Sequence, residues 1–157
     1  MVELKKLTDD NMGECLKLKV SDDQKRFVSE NWQSLIEAWL AITNEGYATA
    51  YAIYAGDTMV GFIQYSYTPL WPEDPWDSDS YNLWKLMIDV NHQGKGYGKQ
   101  AILKIIDEMK TMPNGPASYI DVHVCPDNEV AMKLYDSLGF KDSGLRNDDC
   151  IVLRMHI

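Results

Sequence analysis

A glycine-rich turn between an apolar segment and an amphipathic segment constrains the fold of this chain more than any other feature. The turn is QGKGYG at 93–98; it follows the apolar run YNLWKLMIDV at 81–90 and precedes KQAILKIIDEMK at 99–110. In the last segment, apolar residues recur at the spacing of one helix face: Ile102, Ile105, Ile106 and Met109. This order predicts a strand that leads into a helix through a flexible backbone turn.

Such a turn is suited to phosphate. Glycines let backbone N–H groups approach an anion, and the helix N-terminus adds its positive end. Lys95 and Lys99 add two cations beside it. The G-x-G-x-G spacing and the late position fit neither a dinucleotide-binding turn nor a nucleoside triphosphate loop. Two interpretations stay open on the turn alone: a pyrophosphate site where the strand ends, or a plain strand-to-helix turn.

The rest of the chain alternates between strand and helix patterns. Strands are predicted at 2–7, at 47–69 as a hairpin around Gly56-Asp57, at 81–90, at 117–124 and at 150–157, and helices at 11–19, from Ser21 to about 43, after Gly98 and at 127–138. Ser21 and Gln24 form a capping box for the second helix. Its apolar stripe consists of Val28, Trp32, Leu35, Ile36 and Trp39. The order β-α-α-β-β-β-α-β-α-β-β, in which a further strand precedes the one at 150–157, predicts a mixed α/β sheet covered by helices, in a single domain over 1–157.

Composition and charge limit the function. With 157 residues and 45% hydrophobic residues the chain is long enough for one compact core. A net charge of −9 disfavours nucleic acid and anionic membranes and favours a cationic partner. Neither a signal peptide nor an apolar run of about 18 residues is apparent, so we expect a cytoplasmic protein. Cys15, Cys125 and Cys150 lack paired spacing and, like the three histidines, lack metal-ligand spacing; we expect reduced thiols and no metal.

A second motif, DNEVAMKLYDSLGFK at 127–141, supports a family resemblance. QGKGYG resembles the [Q/R]-x-x-G-x-[G/A] acetyl-CoA signature of the GNAT superfamily of N-acetyltransferases, and the second motif resembles that family's N-x-x-A-x-x-L-Y-x-x-x-G-F segment. The element order is also similar to the GNAT fold, so the resemblance covers nearly the whole chain. It implies a central, mixed but mostly antiparallel sheet flanked by helices, and acetyl-CoA as cosubstrate. Within the superfamily, VSDDQKRFVSEN at 20–31 and the acidic loop at 70–80 resemble bacterial spermine/spermidine N-acetyltransferases.

The resemblance implies a cofactor site on a bulged strand and the turn that follows it. Backbone groups near Met87, Ile88 and Val90 would bind the pantetheine arm and polarise the thioester carbonyl. The pyrophosphate would lie on the amides of Gln93, Gly94, Lys95, Gly96, Tyr97, Gly98 and Lys99. Asn128 would hydrogen-bond the cofactor arm or cap the helix that it precedes, and the two roles are compatible.

Catalysis would depend on Tyr135. By resemblance its phenol would protonate the coenzyme A thiolate as it leaves; the alternative is an aromatic side chain that only packs on the sheet. The amine acceptor must also lose a proton, yet NLWKLM at 82–87 lacks the glutamate that many GNAT enzymes place there. The base therefore stays open among Asp89, Asp79, Asp77, Glu73 or a chain of waters.

The acceptor is indicated by an acidic, aromatic loop. No Lys or Arg occurs between Gly61 and Lys85, and the candidate acceptor-binding residues there are Glu73, Asp74, Asp77, Asp79 and Trp84. Carboxylates and aromatic faces both hold cations; the alternative is a solvated loop with packed tryptophans. Resemblance adds Gln24 and Glu30. We expect a small cationic amine, spermidine or spermine first, with an aminoglycoside, another diamine or a protein N-terminus as alternatives. A non-catalytic acetyl-CoA-binding module is the rival, and resemblance suggests a homodimer.

Overall fold

The computed structural model describes residues 1–70 and 79–157, and the elements in those ranges follow the predicted order. The elements are β1 (Val2–Lys6), α1 (Asp9–Cys15), α2 (Asn31–Thr43), β2 (Tyr47–Ala55), β3 (Thr58–Thr68), β4 (Ser80–Ile88), α3 (Tyr97–Met109), β5 (Tyr119–Val124), α4 (Glu129–Ser137), β6 (Lys141–Asn147) and β7 (Cys150–His156). Short 3-10 helices lie at Asp22–Gln24 and Val90–His92. In these two ranges no helix is both long and apolar enough to cross a membrane.

The strands form one sheet in the order β1-β2-β3-β4-β5-β7-β6. Every neighbouring pair is antiparallel except β4 with β5, which is parallel. The predicted mixed, mostly antiparallel sheet is therefore confirmed. Gly56, with a φ of 63°, closes the β2–β3 hairpin as the Gly-Asp turn predicts, because that backbone region favours glycine.

Two apolar cores lie on opposite faces of the sheet. Ile63 packs into the larger core with α3 and α4, whereas its neighbour Phe62 packs into the smaller core with α1 and α2, because successive strand side chains point to opposite faces. The predicted face of α3 is buried in the larger core: Ile102, Ile105, Ile106 and Met109. Burial of each such side chain contributes about 1.5–3 kcal/mol.

The second helix begins later than predicted. Ser21 N donates to Gln24 Oε1, so the capping box is present, but it opens only the 3-10 turn at Asp22–Gln24, and α2 starts at Asn31. The residues between them form tertiary contacts instead; the buried Lys85 ammonium donates to the carbonyl of Ser29. Tertiary contacts outweigh helix propensity in this segment.

The predicted apolar stripe of the second helix faces the sheet only in part. Trp32, Ile36 and Trp39 are half-exposed or more, while the buried face of α2 carries Asn31, Ser34 and Ala38. Asn31 Nδ2 donates to the carbonyl oxygen of Cys15 at 2.8 Å, which holds this polar face against the end of α1. From the predicted stripe, Val28 and Leu35 do pack against the smaller core.

Candidate active site

A bulge in β4 determines which side chains of this strand face the site. Gln64 of β3 pairs with Lys85 and Tyr65 pairs with Leu83, so Trp84 is an extra residue in β4. The bulge inverts the alternation of side chains along the strand. Leu83 packs into the larger core, and after the bulge it is Leu86 and Ile88 that pack there.

Beyond the bulge, β4 and β5 separate. They pair only at Ser80–Tyr119, Tyr81–Ile120 and Asn82–Asp121, although β4 continues to Ile88 and β5 to Val124. Because β4 is paired with β3 on its other side, half of its backbone N–H and C=O groups in this stretch face the gap. The gap opens into a cleft of about 770 Å³, a size typical of small-molecule sites.

The glycine turn forms one end of this cleft. Gly94 and Gly96 have φ of 74° and 75°, and nothing lies within 4 Å of a Cβ built on either, so the backbone conformation rather than space requires glycine. Gly96 is the N-cap of α3, and among the described residues no side chain caps this helix. The first amides of α3, at Tyr97, Gly98 and Lys99, therefore lack intrahelical acceptors and are available for an anion.

Two contacts hold the segment at 20–31 over the cleft. Gln93 and Gln24 exchange side-chain amide hydrogen bonds of 2.9 and 3.2 Å, and Gln93 Nε2 also lies 2.9 Å from the carbonyl oxygen of Ile88. Arg26 Nη1 lies 2.6 Å from Asp127 Oδ2, across the cleft in front of α4. The predicted cofactor turn and the predicted acceptor segment thus meet directly.

Asp89 has a structural role. Its carboxylate accepts hydrogen bonds from Lys19 N at 2.9 Å and from the backbone and side-chain nitrogens of Asn91, each at 3.0 Å. Burial acts to raise the pKa of Asp89, but these hydrogen bonds outweigh it and the pKa is lowered. A carboxylate held in this way caps the 3-10 turn and is poorly suited to accept a proton from an amine.

Most of the predicted cofactor residues line the cleft, and two do not. Those that do are Met87, Ile88, Gln93, Gly94, Gly96, Tyr97, Gly98, Lys99 and Asn128. Val90 and Lys95 lie outside its lining. Val90 N donates to the carbonyl oxygen of Lys19 at 2.8 Å, and Lys95 Nζ lies 3.4 Å from the carbonyl oxygen of Asn91. The Val90 amide is therefore already used within the fold.

Helix α4 carries Asn128 and Tyr135 into the cleft through well-defined end motifs. Asn128 is the N-cap, and its Oδ1 accepts from Ala131 N at 3.2 Å. At the other end, Gly139 has a φ of 97°, and Phe140 N donates to the carbonyl oxygen of Tyr135 at 3.1 Å. This is a Schellman motif, in which the residue after the glycine packs back on the helix. The Phe140 ring accordingly meets the Tyr135 ring edge-on at 5.5 Å.

The Tyr135 side chain is buried and also lines the cleft. Burial raises the pKa of its phenol. The hydroxyl therefore keeps its proton at neutral pH. The packing role and access to the cleft coexist in this residue.

The predicted acceptor residues are only partly brought together. Glu73, Asp74 and Asp77 lie outside the described residues. Gln24 and the half-exposed Trp84 line the cleft. Asp79 precedes β4 at the end of the strand far from the glycine turn, and Glu30 precedes α2; neither lines the cleft.

Sequence reasoning gave no weight to His123, which lines the cleft from β5. Its Nδ1 lies 3.0 Å from Asn147 Nδ2. Desolvation lowers the pKa of the imidazole, against the opposing charge of Asp121, so the ring is neutral at pH 7. The alternation in IDVHV does place His123 on the face opposite Val122, but the open gap beside it is a tertiary feature.

Lys85 was also missed. Its side chain lines the cleft and is only 6% exposed, with Nζ 3.4 Å from Ser29 Oγ. Burial lowers the pKa of Lys85 to about 8, although Glu37, Cys15 and Glu30 oppose the shift. The family resemblance implied a bulge in this strand, but its position at Trp84, which directs the Lys85 side chain inward, depends on the pairing with β3.

Two thiols meet at the edge of the cleft. Cys125 Sγ lies 3.1 Å from Cys150 Sγ, and both residues line the cleft. Their separation of 25 positions in the chain offered no spacing signal. Within residues 1–70 and 79–157, no group of three or more His, Cys, Asp or Glu side chains is arranged to hold a metal ion.

The family follows from comparison with known proteins. The model of the acetyltransferase (GNAT) family matches residues 12–140. The chain belongs to the GNAT acetyltransferase family. This acetyltransferase is similar to the spermine/spermidine N(1)-acetyltransferase of Bacillus subtilis (strain 168), with 29% identity over 145 residues that cover 91% of this chain and 90% of the relative. It is also 30% identical to the N-alpha-acetyltransferase RimI of Mycobacterium tuberculosis, over 59% of this chain and 51% of the relative.

Solved structures share the fold of this GNAT acetyltransferase. The spermidine N-acetyltransferase of Vibrio cholerae, in complex with CoA and spermine, superposes with a TM-score of 0.67 at 20% identity and covers 99% of this chain and 94% of its own. The PaiA N-acetyltransferase of Thermoplasma acidophilum, in complex with coenzyme A, gives a TM-score of 0.70 at 15% identity, with 100% and 99% coverage. The GNAT fold is confirmed, and acetyl-CoA is the cosubstrate of the family.

Proposed function

We propose that this acetyltransferase moves an acetyl group from acetyl-CoA to a primary amine of a small polycation, with spermidine or spermine as the first choice. The observation that carries the acetyl-CoA half is the cleft between β4 and β5, which ends at the uncapped start of α3. The polyamine half is supported by the 29% identical relative and by the net charge of −9. The pantetheine arm would lie between the separated strands and the pyrophosphate on the amides at 94–99.

The chemistry is direct attack. The neutral amine nitrogen of the acceptor attacks the thioester carbonyl, a C–N bond forms, the C–S bond breaks and coenzyme A leaves as a thiolate. Tyr135 is the proposed acid that protonates the departing sulfur. Its raised pKa keeps the proton in place but makes the phenol a weaker acid, so we expect the proton to move only as negative charge develops on sulfur.

His123 is our candidate for the group that takes the proton from the acceptor ammonium. It lines the cleft, and its lowered pKa leaves the imidazole neutral at pH 7, as a base must be. We expect His123→Gln, which retains a polar partner for Asn147, to lower kcat/KM and to remove the acidic limb of the pH–rate profile. An unchanged limb would assign the base elsewhere, with Lys85 as the next residue to test by Lys85→Met.

The proposal is tested by the release of free coenzyme A thiol. The protein is mixed with acetyl-CoA and a panel of spermine, spermidine, a monoamine, an aminoglycoside and a peptide with a free N-terminus. Thiol release with spermine or spermidine at the highest kcat/KM supports the proposal. Preference for another amine would replace the acceptor, and cofactor binding without thiol release for any amine would establish the non-catalytic acetyl-CoA-binding module instead.

We also propose that the enzyme acts in the cytoplasm and, on the family resemblance alone, that it is a homodimer. Sedimentation equilibrium distinguishes a dimer from a monomer, whose mass is 18.0 kDa. A monomer over the whole concentration range would end the dimer proposal and leave the acetyl transfer unaffected.

A further inference from the structure

The geometry of the sheet brings Cys125 and Cys150 into register. Val124 of β5 pairs with Ile151 of β7, so Cys125 and Cys150 occupy the next opposing position, and their sulfur atoms are 3.1 Å apart. Opposing Cα atoms in antiparallel strands lie about 4.5–5.5 Å apart, within the range of about 4.4–6.8 Å that a disulfide spans. The sulfurs need to approach by only about 1 Å to reach bonding distance.

The pair belongs to the wall of the cleft rather than to the core. Both residues line the cleft and are partly exposed, whereas Cys15 is fully buried under α2. Asn128 N donates to the carbonyl oxygen of Cys125 at 2.9 Å, so Cys125 lies on the turn that carries Asn128 into the cleft. A molecule in the cleft therefore has access to both thiols.

The Cys150 thiol is a weak acid. Burial, the hydrogen bond with Cys125 and the charges of Asp149 and Asp148 raise the pKa of Cys150 to about 11. Cys150 therefore keeps its proton and can donate it to Cys125 sulfur. The raised pKa slows attack by Cys150, so Cys125 takes the first attack and Cys150 is the second, resolving thiol.

We propose that Cys125 and Cys150 are a reactive dithiol in the cleft wall that small-molecule disulfides convert to an intramolecular disulfide. The Cys125 thiolate attacks one sulfur of the disulfide RSSR, which forms Cys125–S–S–R and releases one RS⁻. Cys150 then loses its proton to solvent and attacks the Cys125 sulfur, which forms the Cys125–Cys150 bond and releases the second RS⁻. Two protein thiols are oxidised and one small disulfide is reduced to two thiols.

The disulfide of coenzyme A is the preferred small disulfide, a point that rests on the proposed cofactor site. Coenzyme A bound in the cleft would present its sulfur between β4 and β5, beside the turn of Cys125. Binding in this way raises the effective concentration of the reacting sulfur. Glutathione disulfide, which has the same reactive bond but no nucleotide, is the matched control.

The test is intact-mass analysis of the reduced full chain after treatment with either disulfide, followed by alkylation. We expect the wild type to lose two alkylatable thiols, to carry no adduct, and to yield a linked pair of peptides that contain Cys125 and Cys150. Cys150→Ser should stop at one small-molecule adduct on Cys125, and Cys125→Ser should form neither adduct nor link. Cys15→Ser should lose the same two thiols and form the same link between Cys125 and Cys150.

Three alkylatable thiols in the treated wild type, or a link that involves Cys15, would overturn the proposal. A stable adduct in place of the link would overturn the resolving role of Cys150. Coenzyme A disulfide should react at least about tenfold faster than glutathione disulfide. Equal rates would show that binding in the cleft does not accelerate the reaction of coenzyme A disulfide with Cys125. Thiol release in the acetyl-transfer assay tests the proposed function separately.

Discussion

At the scale of the single residue, Tyr135 combines packing in the larger core with the proposed role of proton donor. Its ring meets Phe140 edge-on, and the backbone contact from Phe140 fixes the end of α4 that carries it, so the side chain is held in one place in the cleft wall. Fixed position is what a proton donor needs, because proton transfer depends on hydrogen-bond reach. The packing and catalytic interpretations of this residue therefore do not exclude each other.

We predict that Tyr135→Phe lowers kcat at least about tenfold, or about 1.4 kcal/mol in activation free energy. Acetyl-CoA affinity and the free energy of unfolding should change little, because the ring contact with Phe140 is retained. Steady-state kinetics and calorimetric titration with coenzyme A check this. Tyr54→Phe, which removes the hydroxyl of a tyrosine in the smaller core, is the control. Equal kcat in both variants would remove Tyr135 from the mechanism.

Lys85 should make stability depend on pH in the alkaline range. Its folded pKa of about 8 lies below the ordinary value of 10.5, so the unfolded chain binds more protons between these two values and stability rises with pH there. Below about pH 8 the full burial penalty is present, of the order of 3 kcal/mol. Replacement of Lys85 by an apolar residue also removes its hydrogen bonds to Ser29, which lowers the gain in the free energy of unfolding by about 1 kcal/mol.

We therefore predict that Lys85→Met raises the free energy of unfolding by about 2 kcal/mol at pH 7, and that this gain shrinks as pH approaches 10.5. Urea unfolding at a series of pH values measures the difference. Lys104→Met, on the exposed side of α3, should show no such trend. A gain that is constant with pH would mean that Lys85 carries no burial penalty.

At the scale of the element, both ends of α4 are specified by short motifs that also form the cleft. Asn128 caps the start through Ala131 N, and Gly139 ends the helix through its left-handed backbone. The start of α3 is different, because Gly96 supplies the conformation without a capping side chain. The uncapped helix is the one that leaves its amides for an anion.

The two expected roles of Asn128, helix capping and binding of the cofactor arm, can be separated by mutation. Asn128→Ala should lower the free energy of unfolding by about 1 kcal/mol through loss of the cap, whereas Asn128→Asp, also a good cap, should not. Both variants lose the side-chain N–H groups, so both should raise the KM for acetyl-CoA. Chemical denaturation and initial rates measure the two effects. If only the alanine variant raises KM, the residue acts as a helix cap alone.

At the scale of the whole molecule, the charge of −9 gives a cationic acceptor a favourable field. The described part of the cleft nevertheless contains cations, including Arg26, Lys85 and Lys99. In the proposal, the preference for a cationic acceptor therefore depends on the acidic residues at 73–79 more than on the described part of the cleft. Of these acidic residues, only Asp79 lies within the described residues.

We predict that joint neutralisation of Glu73, Asp74, Asp77 and Asp79 to amides raises the KM for spermine more than for a monoamine, because a polycation presents several charges to the loop. The control variant neutralises four exposed acids outside the cleft lining: Asp10, Glu45, Asp57 and Asp107. The control variant changes the net charge by the same amount as the loop variant, so a difference between the two variants reports the position of the charges. Equal changes for spermine and the monoamine would show that the loop does not sense charge spacing.

The sequence by itself determined the order of elements, the glycine turn at Gly94 and Gly96 and the end motifs of α4, because each depends on contacts within a few residues. It also carried the family motifs. Only the tertiary structure decided which face of α2 is buried, since Asn31 is held by the carbonyl of Cys15. The family resemblance implied a bulged strand, but only the tertiary structure placed the bulge at Trp84, turned Lys85 inward, opened the gap beside His123 and brought the sulfur atoms of Cys125 and Cys150 to 3.1 Å. These features depend on pairing between strands that lie far apart in the chain, and the local periodicity of the sequence does not determine the register of that pairing.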